Sequence, residues 1–176
     1  MIKITELSHE LIKKKGKSNI AIDMTVGRGY DTLFLSKVSN YVYGFDIQKE
    51  AIEETKKLLK EFNVENVKLI DDDHQFVLNY VKENIDLAIY NLGYLPSSDK
   101  VIKTNPASTL ASLKSLLSVL NKEGLILIVL YPHNPEEISV IRDFSSNLSS
   151  DYDVLEYKIL NKKKCPFIIQ INKVVI

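Results

Sequence analysis

Apolar and polar positions along this chain switch repeatedly between a strand-like and a helix-like period. Short apolar runs at 19–24, 41–46, 66–70, 85–90 and 124–131 predict five strands. The run from Leu125 to Tyr131 is almost wholly hydrophobic, as a central parallel strand buried on both faces should be. Between these runs the spacing becomes helical. At 5–16, Leu7, Leu11 and Ile12 share a face, with Thr5 placed to cap the start and Gly16 to end it. A helix follows at 31–38. Another runs over 48–62, with Ala51, Ile52, Thr55, Leu58 and Leu59 on its inner side. A fourth helix is expected from His74 to about Lys82. Asn105-Pro106 and Asn134-Pro135 then open helices that reach about Leu120 and Leu148, each with proline at its first position. Two last strands, 152–160 and 166–174, flank a lysine-rich turn and read as a hairpin. Strands alternating with helices, closed by a hairpin, specify one open and mostly parallel α/β sheet with an antiparallel strand near its end.

The chemistry follows from what stands at the ends of the predicted strands. In an open α/β sheet the ligand lies in the crevice at the strands' carboxyl ends. Strand one runs into Asp23-Met24-Thr25-Val26-Gly27-Arg28-Gly29-Tyr30-Asp31-Thr32-Leu33, a glycine turn that enters a helix. Such a turn brings backbone close to a ligand and aims unpaired N–H groups at it. Strand two ends on Asp46, about twenty residues past the glycines, where a Rossmann-type unit places the acid that accepts from ribose hydroxyls. Leu33 stands near the position where a dinucleotide turn needs its third glycine, which favours the shorter turn of S-adenosylmethionine (AdoMet) methyltransferases. Ile47 and Gln48 would line an adenine, and Asp73 and His74 could meet it from the other side, with the choice among Asp72, Asp73 and His74 left open. Strand four runs into Asn91-Leu92-Gly93-Tyr94. This resembles the Asn-Pro-Pro-Tyr motif of methyltransferases that act on exocyclic amines, in which amide and carbonyl oxygens hold the amine and the aromatic ring stacks on the base. Asp31 is either a proton acceptor or a helix cap.

Composition narrows the class. At 176 residues, 45% hydrophobic and 26% charged, the chain makes one domain, 1–176, with a real core. A single cysteine, Cys165, leaves no internal disulfide and fits a reducing compartment. The first residues carry no apolar core of a secretory leader and no apolar run is long enough to span a bilayer, so a cytoplasmic location away from membranes is expected. His9, His74 and His133 show no ligand spacing, and no metal is expected. The formal charge is zero, so nucleic acid would have to be gripped by local cations. Arg28, Lys100, Lys103 and Lys162 to Lys164 are the candidates.

Three blocks taken together carry a more specific resemblance. They are Asp23-x-Thr25-x-Gly27-x-Gly29-x-Asp31-Thr32-Leu33-Phe34-Leu35, Tyr43-Gly44-Phe45-Asp46-Ile47-Gln48 and Asn91-Leu92-Gly93-Tyr94-Leu95-Pro96-x-x-Asp99-Lys100. Over nearly its whole length the chain resembles the small bacterial rRNA-methylase family, which is similar to the MnmM-like tRNA 5-aminomethyl-2-thiouridine methyltransferases. The resemblance implies a Rossmann-like class I methyltransferase fold with a seven-stranded sheet. It also implies methyl transfer from AdoMet, leaving S-adenosylhomocysteine, to the aminomethyl nitrogen of a wobble (2-thio)uridine in tRNA. The implied cofactor set is Asp23, Thr25, Gly27, Gly29, Asp31, Thr32, Asp46, Ile47, Gln48, Asp73, His74 and Asn91, with Asn91, Tyr94 and Asp31 catalytic; a homodimer is implied as well. The chain departs from the family at Arg28 and Tyr30 in the turn, at Asp73-His74-Gln75, and at Tyr131-Pro132-His133-Asn134. Two other functions fit the residues: the same transfer to an rRNA base, a DNA adenine or a small molecule, and a non-catalytic AdoMet-binding partner subunit.

Overall fold

The strand that anchors the fold is the most continuously apolar one, β5 (Leu120–Leu130), which lies inside a seven-stranded sheet. The computed structural model of the chain describes residues 3–93, 105–162 and 164–174. Its other strands are β1 (Ser18–Asp23), β2 (Ser39–Asp46), β3 (Val67–Asp71), β4 (Ile85–Leu92), β6 (Tyr152–Tyr157) and β7 (Phe167–Lys173). Across the sheet the order is β3-β2-β1-β4-β5-β7-β6. The first five strands pair in parallel, and β7 lies antiparallel to both β5 and β6. The chain winds outward from β1 to β3, then returns to place β4 on the other side of β1. That reversal opens a crevice between the carboxyl ends of β1 and β4.

Strict alternation along the central strands feeds two cores, one per face of the sheet. Ile22, Ala88, Tyr90, Ile126 and Ile128 pack with Leu113, Leu116 and Ile141 from α5 (Pro106–Val119) and α6 (Pro135–Ser146). Ala21, Leu87, Ile89, Leu125, Leu127 and Val129 pack with Ile4 and Ile12 of α1 (Ile4–Lys15) and Leu35 of α2 (Tyr30–Val38). α3 (Lys49–Glu61) buries Ala51, Ile52, Thr55 and Leu59, while Leu58 is only half-buried.

Three expectations need correction. Helix α1 begins one residue early, with Lys3 at its N-cap and no side-chain cap, so Thr5 sits inside the first turn, where its carbonyl accepts the Ser8 hydroxyl. The helix expected from His74 to Lys82 is a 3-10 turn over His74–Phe76 followed by the short α4 (Val77–Tyr80). Val81 turns extended and is buried, which stops it. Strand β5 starts at Leu120 rather than Gly124, because Leu120 pairs with Ile85 across an irregularity in the ladder. The proline-led starts of α5 and α6 stand as expected: Asn105 accepts from the Ala107 N–H, and Asn134 from that of Glu137.

Candidate active site

The crevice is a cavity of about 760 Å³ at the carboxyl ends of the parallel strands, a size suited to a ligand of cofactor dimensions. The β1–α2 turn makes its floor. Met24 N–H donates to Ile89 on β4 and Val26 N–H to Phe45 on β2, so the turn is tied to both neighbouring strands. Gly27 and Gly29 both take positive φ, +52° and +78°, which a residue with a Cβ adopts only at a cost. Gly29 is also confined. A Cβ there would lie 2.6 Å from the Thr55 side chain of α3.

Asp46 at the end of β2 is held from two sides. Its Oδ2 accepts the Gly27 N–H at 2.8 Å and its Oδ1 the Gln48 N–H at 2.9 Å. Each oxygen keeps a further lone pair, and Asp46, Ile47, Gln48 and Gly27 all line the cavity. Burial pushes the Asp46 carboxyl above the ordinary range, and the backbone donors, Gly27 foremost, pull against that shift. Ile47 is exposed beside it and offers an apolar surface to a flat ring.

Just past the neighbouring strand β3, Asp72, Asp73 and His74 all line the cavity. Asp72 accepts from the Tyr80 hydroxyl and the Asp73 N–H. Asp73 accepts from the Gln75 N–H at 2.9 Å and from Ser108 Oγ, on α5, at 2.6 Å. Partial burial raises its pKa, but the Gln75 and Ser108 donors outweigh that and hold it below the usual value. His74 is buried edge-on against Tyr90, and burial keeps its pKa low against the opposing pull of Asp73.

On the other side of β1, toward β4 and β5, lies a chain of polar groups. His9 Nε2 on α1 is 2.7 Å from Asp31 Oδ1 on α2, and the His9 ring stacks on Phe34. Asp31 Oδ2 accepts from Asn91 Nδ2, at the end of β4, at 3.2 Å. Asn91 Oδ1 accepts from the Tyr131 hydroxyl, just past β5, at 2.8 Å. The Asn91 N–H donates to Thr25 Oγ1 at 2.7 Å, which bridges the gap between β1 and β4. Burial and the nearby Asp31 charge push the Tyr131 hydroxyl pKa up. Asn91 belongs to the strand itself, paired with Val129, rather than to a turn after it. Asp31 makes no capping bond, since Gly29 holds the N-cap of α2.

Three residues of the expected cofactor set stand behind the cavity wall: Asp23, Gly29 and Thr32 do not line it. Asp23 is fully buried, accepting from Thr32 Oγ1 at 2.6 Å and the Thr25 N–H at 3.1 Å. Burial, with Asp31 adding to it, pushes the Asp23 carboxyl up to about 7. These residues shape the turn. Thr25, Gly27, Asp31, Asp46, Ile47, Gln48, Asp73, His74 and Asn91 do line the cavity. Tyr94, Lys100, Lys103 and Lys163 lie outside the described residues. Arg28 borders the cavity, whereas Lys162 and Lys164 are on the β6–β7 turn and do not. Thr5, His9, Asn105, Ser108, Tyr131 and His133 also line it, although the sequence placed none of them in the site. All three histidines thus converge on one cavity, although among the described residues no three His, Cys, Asp or Glu side chains form a metal site.

Comparison with known proteins accords with this geometry. The family model "Putative rRNA methylase" matches residues 42–173. A chloroplastic tRNA (mnm(5)s(2)U34)-methyltransferase of Arabidopsis thaliana is 36% identical over 188 residues, covering 95% of this chain and 68% of that protein. A crystal structure of a "putative methyltransferase" from Streptococcus mutans in complex with SAH superposes with a TM-score of 0.93 at 38% identity over 99% of each chain. A "putative rRNA-methylase" from Clostridium thermocellum superposes with a TM-score of 0.94 at 33% identity, again over 99% of each. A seven-stranded class I methyltransferase sheet, a glycine turn and acid at its switch point, and relatives matched along almost the whole chain lead to one assignment: this chain belongs to the rRNA-methylase family of methyltransferases.

Proposed function

We propose that this chain methylates the 5-aminomethyl nitrogen of a wobble (2-thio)uridine in tRNA, with AdoMet as the donor, to give 5-methylaminomethyl-(2-thio)uridine. The observation that carries the reading is the Asn91 amide, fixed at the switch point by Asp31 on one side and Tyr131 on the other. The residues present fit AdoMet. Asp46 has free carboxylate lone pairs for ribose hydroxyls, Ile47 an apolar surface for adenine, and Gly27 a side open enough that a Cβ would meet only the Thr25 carbonyl, at 3.9 Å. When bound, AdoMet supplies a methyl group on a sulfonium, an electrophile for an amine lone pair.

The chain's own part is to deliver that lone pair. An alkylammonium has none, so the site must take the amine neutral or remove its proton. Desolvation in the cavity lowers an ammonium pKa, so the amine is taken neutral while the Asp31 carboxylate holds the Asn91 amide in place. Asn91 Oδ1 spends one lone pair on Tyr131 and keeps one for an amine N–H. Orientation of this kind is worth several kcal/mol when the reacting atoms are held at near-attack distance. Tyr94 is proposed to stack on the uracil ring. Arg28, Lys100, Lys103 and Lys162 to Lys164 are proposed to grip the phosphates, in a cytoplasmic homodimer that pools two such surfaces. With several phosphates neutralised, tRNA affinity should fall steeply between low and physiological salt; a flat salt profile would argue for a small acceptor.

The reading is tested in cells lacking the gene. Nucleosides from their tRNA, resolved by mass spectrometry, should accumulate 5-aminomethyl-(2-thio)uridine and lose the methylated form. An unchanged nucleoside profile would overturn it.

A further inference from the structure

We propose that His9 is a positioning residue for methyl transfer, setting through Asp31 which end of the Asn91 amide faces the substrate. The proposal rests on the reading that the acceptor is an amine. His9 reaches Asp31 from helix α1, across 22 positions of sequence. The two side chains are mostly buried, 25% and 13% exposed. The ring is fixed by its stack on Phe34, with centroids 3.8 Å apart and planes within 4°. His9, Asp31, Asn91 and Tyr131 all border the cavity, so the arrangement acts where the substrate must sit.

An asparagine amide is nearly symmetric in shape, and its neighbours alone decide which end is the acceptor. An ionised carboxylate only accepts, so an ionised Asp31 obliges Asn91 to turn Nδ2 toward it. Oδ1 then faces Tyr131 and the cavity as an acceptor. A protonated Asp31 could donate instead, and the amide could turn over and present its NH₂ to the amine. An amide N–H there would engage the amine lone pair, which must stay free for the methyl group. The arrangement needs a donor on Asp31 Oδ1, so that Oδ2 is left to accept from Asn91 Nδ2. His9 Nε2–H supplies it and keeps Asp31 an acceptor. It does so without touching the amine, so it positions a catalytic residue rather than acting as one.

Two substitutions separate the hydrogen bond from the packing. His9→Phe keeps a ring over Phe34 and loses the donor. His9→Gln loses the ring and keeps an N–H at about the same reach. Both would be assayed on tRNA bearing 5-aminomethyluridine, with the S-adenosylhomocysteine Kd and thermal midpoint as controls. Expected is a fall in kcat of roughly 10- to 100-fold for His9→Phe, with Kd for S-adenosylhomocysteine unchanged. His9→Gln should recover to within about threefold of native, a split that a packing role would reverse. Native-like kcat in His9→Phe, or His9→Gln no better than His9→Phe, overturns the proposal while the native enzyme's activity stands. An inactive native enzyme overturns the acceptor reading, and this proposal with it.

Discussion

Asp46→Ala isolates the group on which cofactor recognition depends in this account. The carboxylate is pre-oriented by the N–H groups of Gly27 and Gln48, 2.8 and 2.9 Å away, so little ordering remains to be done when ribose hydroxyls arrive. Hydrogen bonds to a charged group are worth about 1.5–3 kcal/mol net. Losing them should raise the Kd for AdoMet or its product about 10- to 150-fold. The substitution also strips two N–H groups of their acceptor, and this should appear as a modest drop in thermal midpoint for the free protein. The signature is therefore a large loss of affinity with a small loss of stability. The pH dependence carries the same information. Burial raises the Asp46 pKa, and the protonated acid is a poorer acceptor. Affinity should accordingly fall, as pH is lowered, sooner than an ordinary carboxylate would allow, and Asp46→Ala should lack that limb. Titration calorimetry with S-adenosylhomocysteine across pH measures both. An unchanged Kd in Asp46→Ala would refute the assignment of Asp46 to the ribose.

Asn91→Ala should lower kcat by roughly 100-fold while moving the AdoMet Kd little, read from single-turnover kinetics and calorimetry; equal losses in both would place Asn91 in cofactor binding instead. Asp23→Asn should stabilise the protein at and above neutral pH. The folded Asp23 pKa is raised to about 7, so the native state holds a proton that the unfolded chain releases near pH 4. Stability is lost as pH rises through that window, and the asparagine should remove a loss of a few kcal/mol, seen as a flatter thermal midpoint between pH 4 and 8. Gly29→Ala should cost roughly 2–4 kcal/mol, from positive φ and from a Cβ driven against Thr55, measured as a lower denaturant midpoint.

What could be read from sequence was local, and what escaped was assembled from a distance. Asn105-Pro106 and Asn134-Pro135 announced their helices because a cap and a fixed φ act within one turn. Gly27, Gly29 and Asp46 were visible because a strand, a turn and an acid have a nearly fixed spacing. His9 gave no such signal. Its helix reads as amphipathic whether or not a histidine on it reaches Asp31, and only the docking of α1 beside α2 brings them together. Tyr131 meets Asn91 across 40 positions, and Ser108 meets Asp73 across 35; neither pair leaves a periodic trace. Asp23 was misplaced for a different reason. At a strand end an acid can face a ligand or fold back on its own turn, and the hydroxyl of Thr32 settles the matter only once the helix has formed. Asn91 lies one residue past the expected end of strand four, yet pairing with Val129 of β5 carries it into the sheet.

On the proposed function, this site hands a methyl group to an exocyclic aminomethyl nitrogen. This transfer is tested most directly by incubating the purified protein with AdoMet carrying a labelled methyl group and tRNA bearing 5-aminomethyl-2-thiouridine at the wobble position, then digesting to nucleosides. Label is expected on that one nucleoside, as 5-methylaminomethyl-2-thiouridine, in tRNA with the aminomethyl group and none in tRNA lacking it. Label on another base, or an untouched aminomethyl nucleoside beside a protein that binds AdoMet, would contradict it.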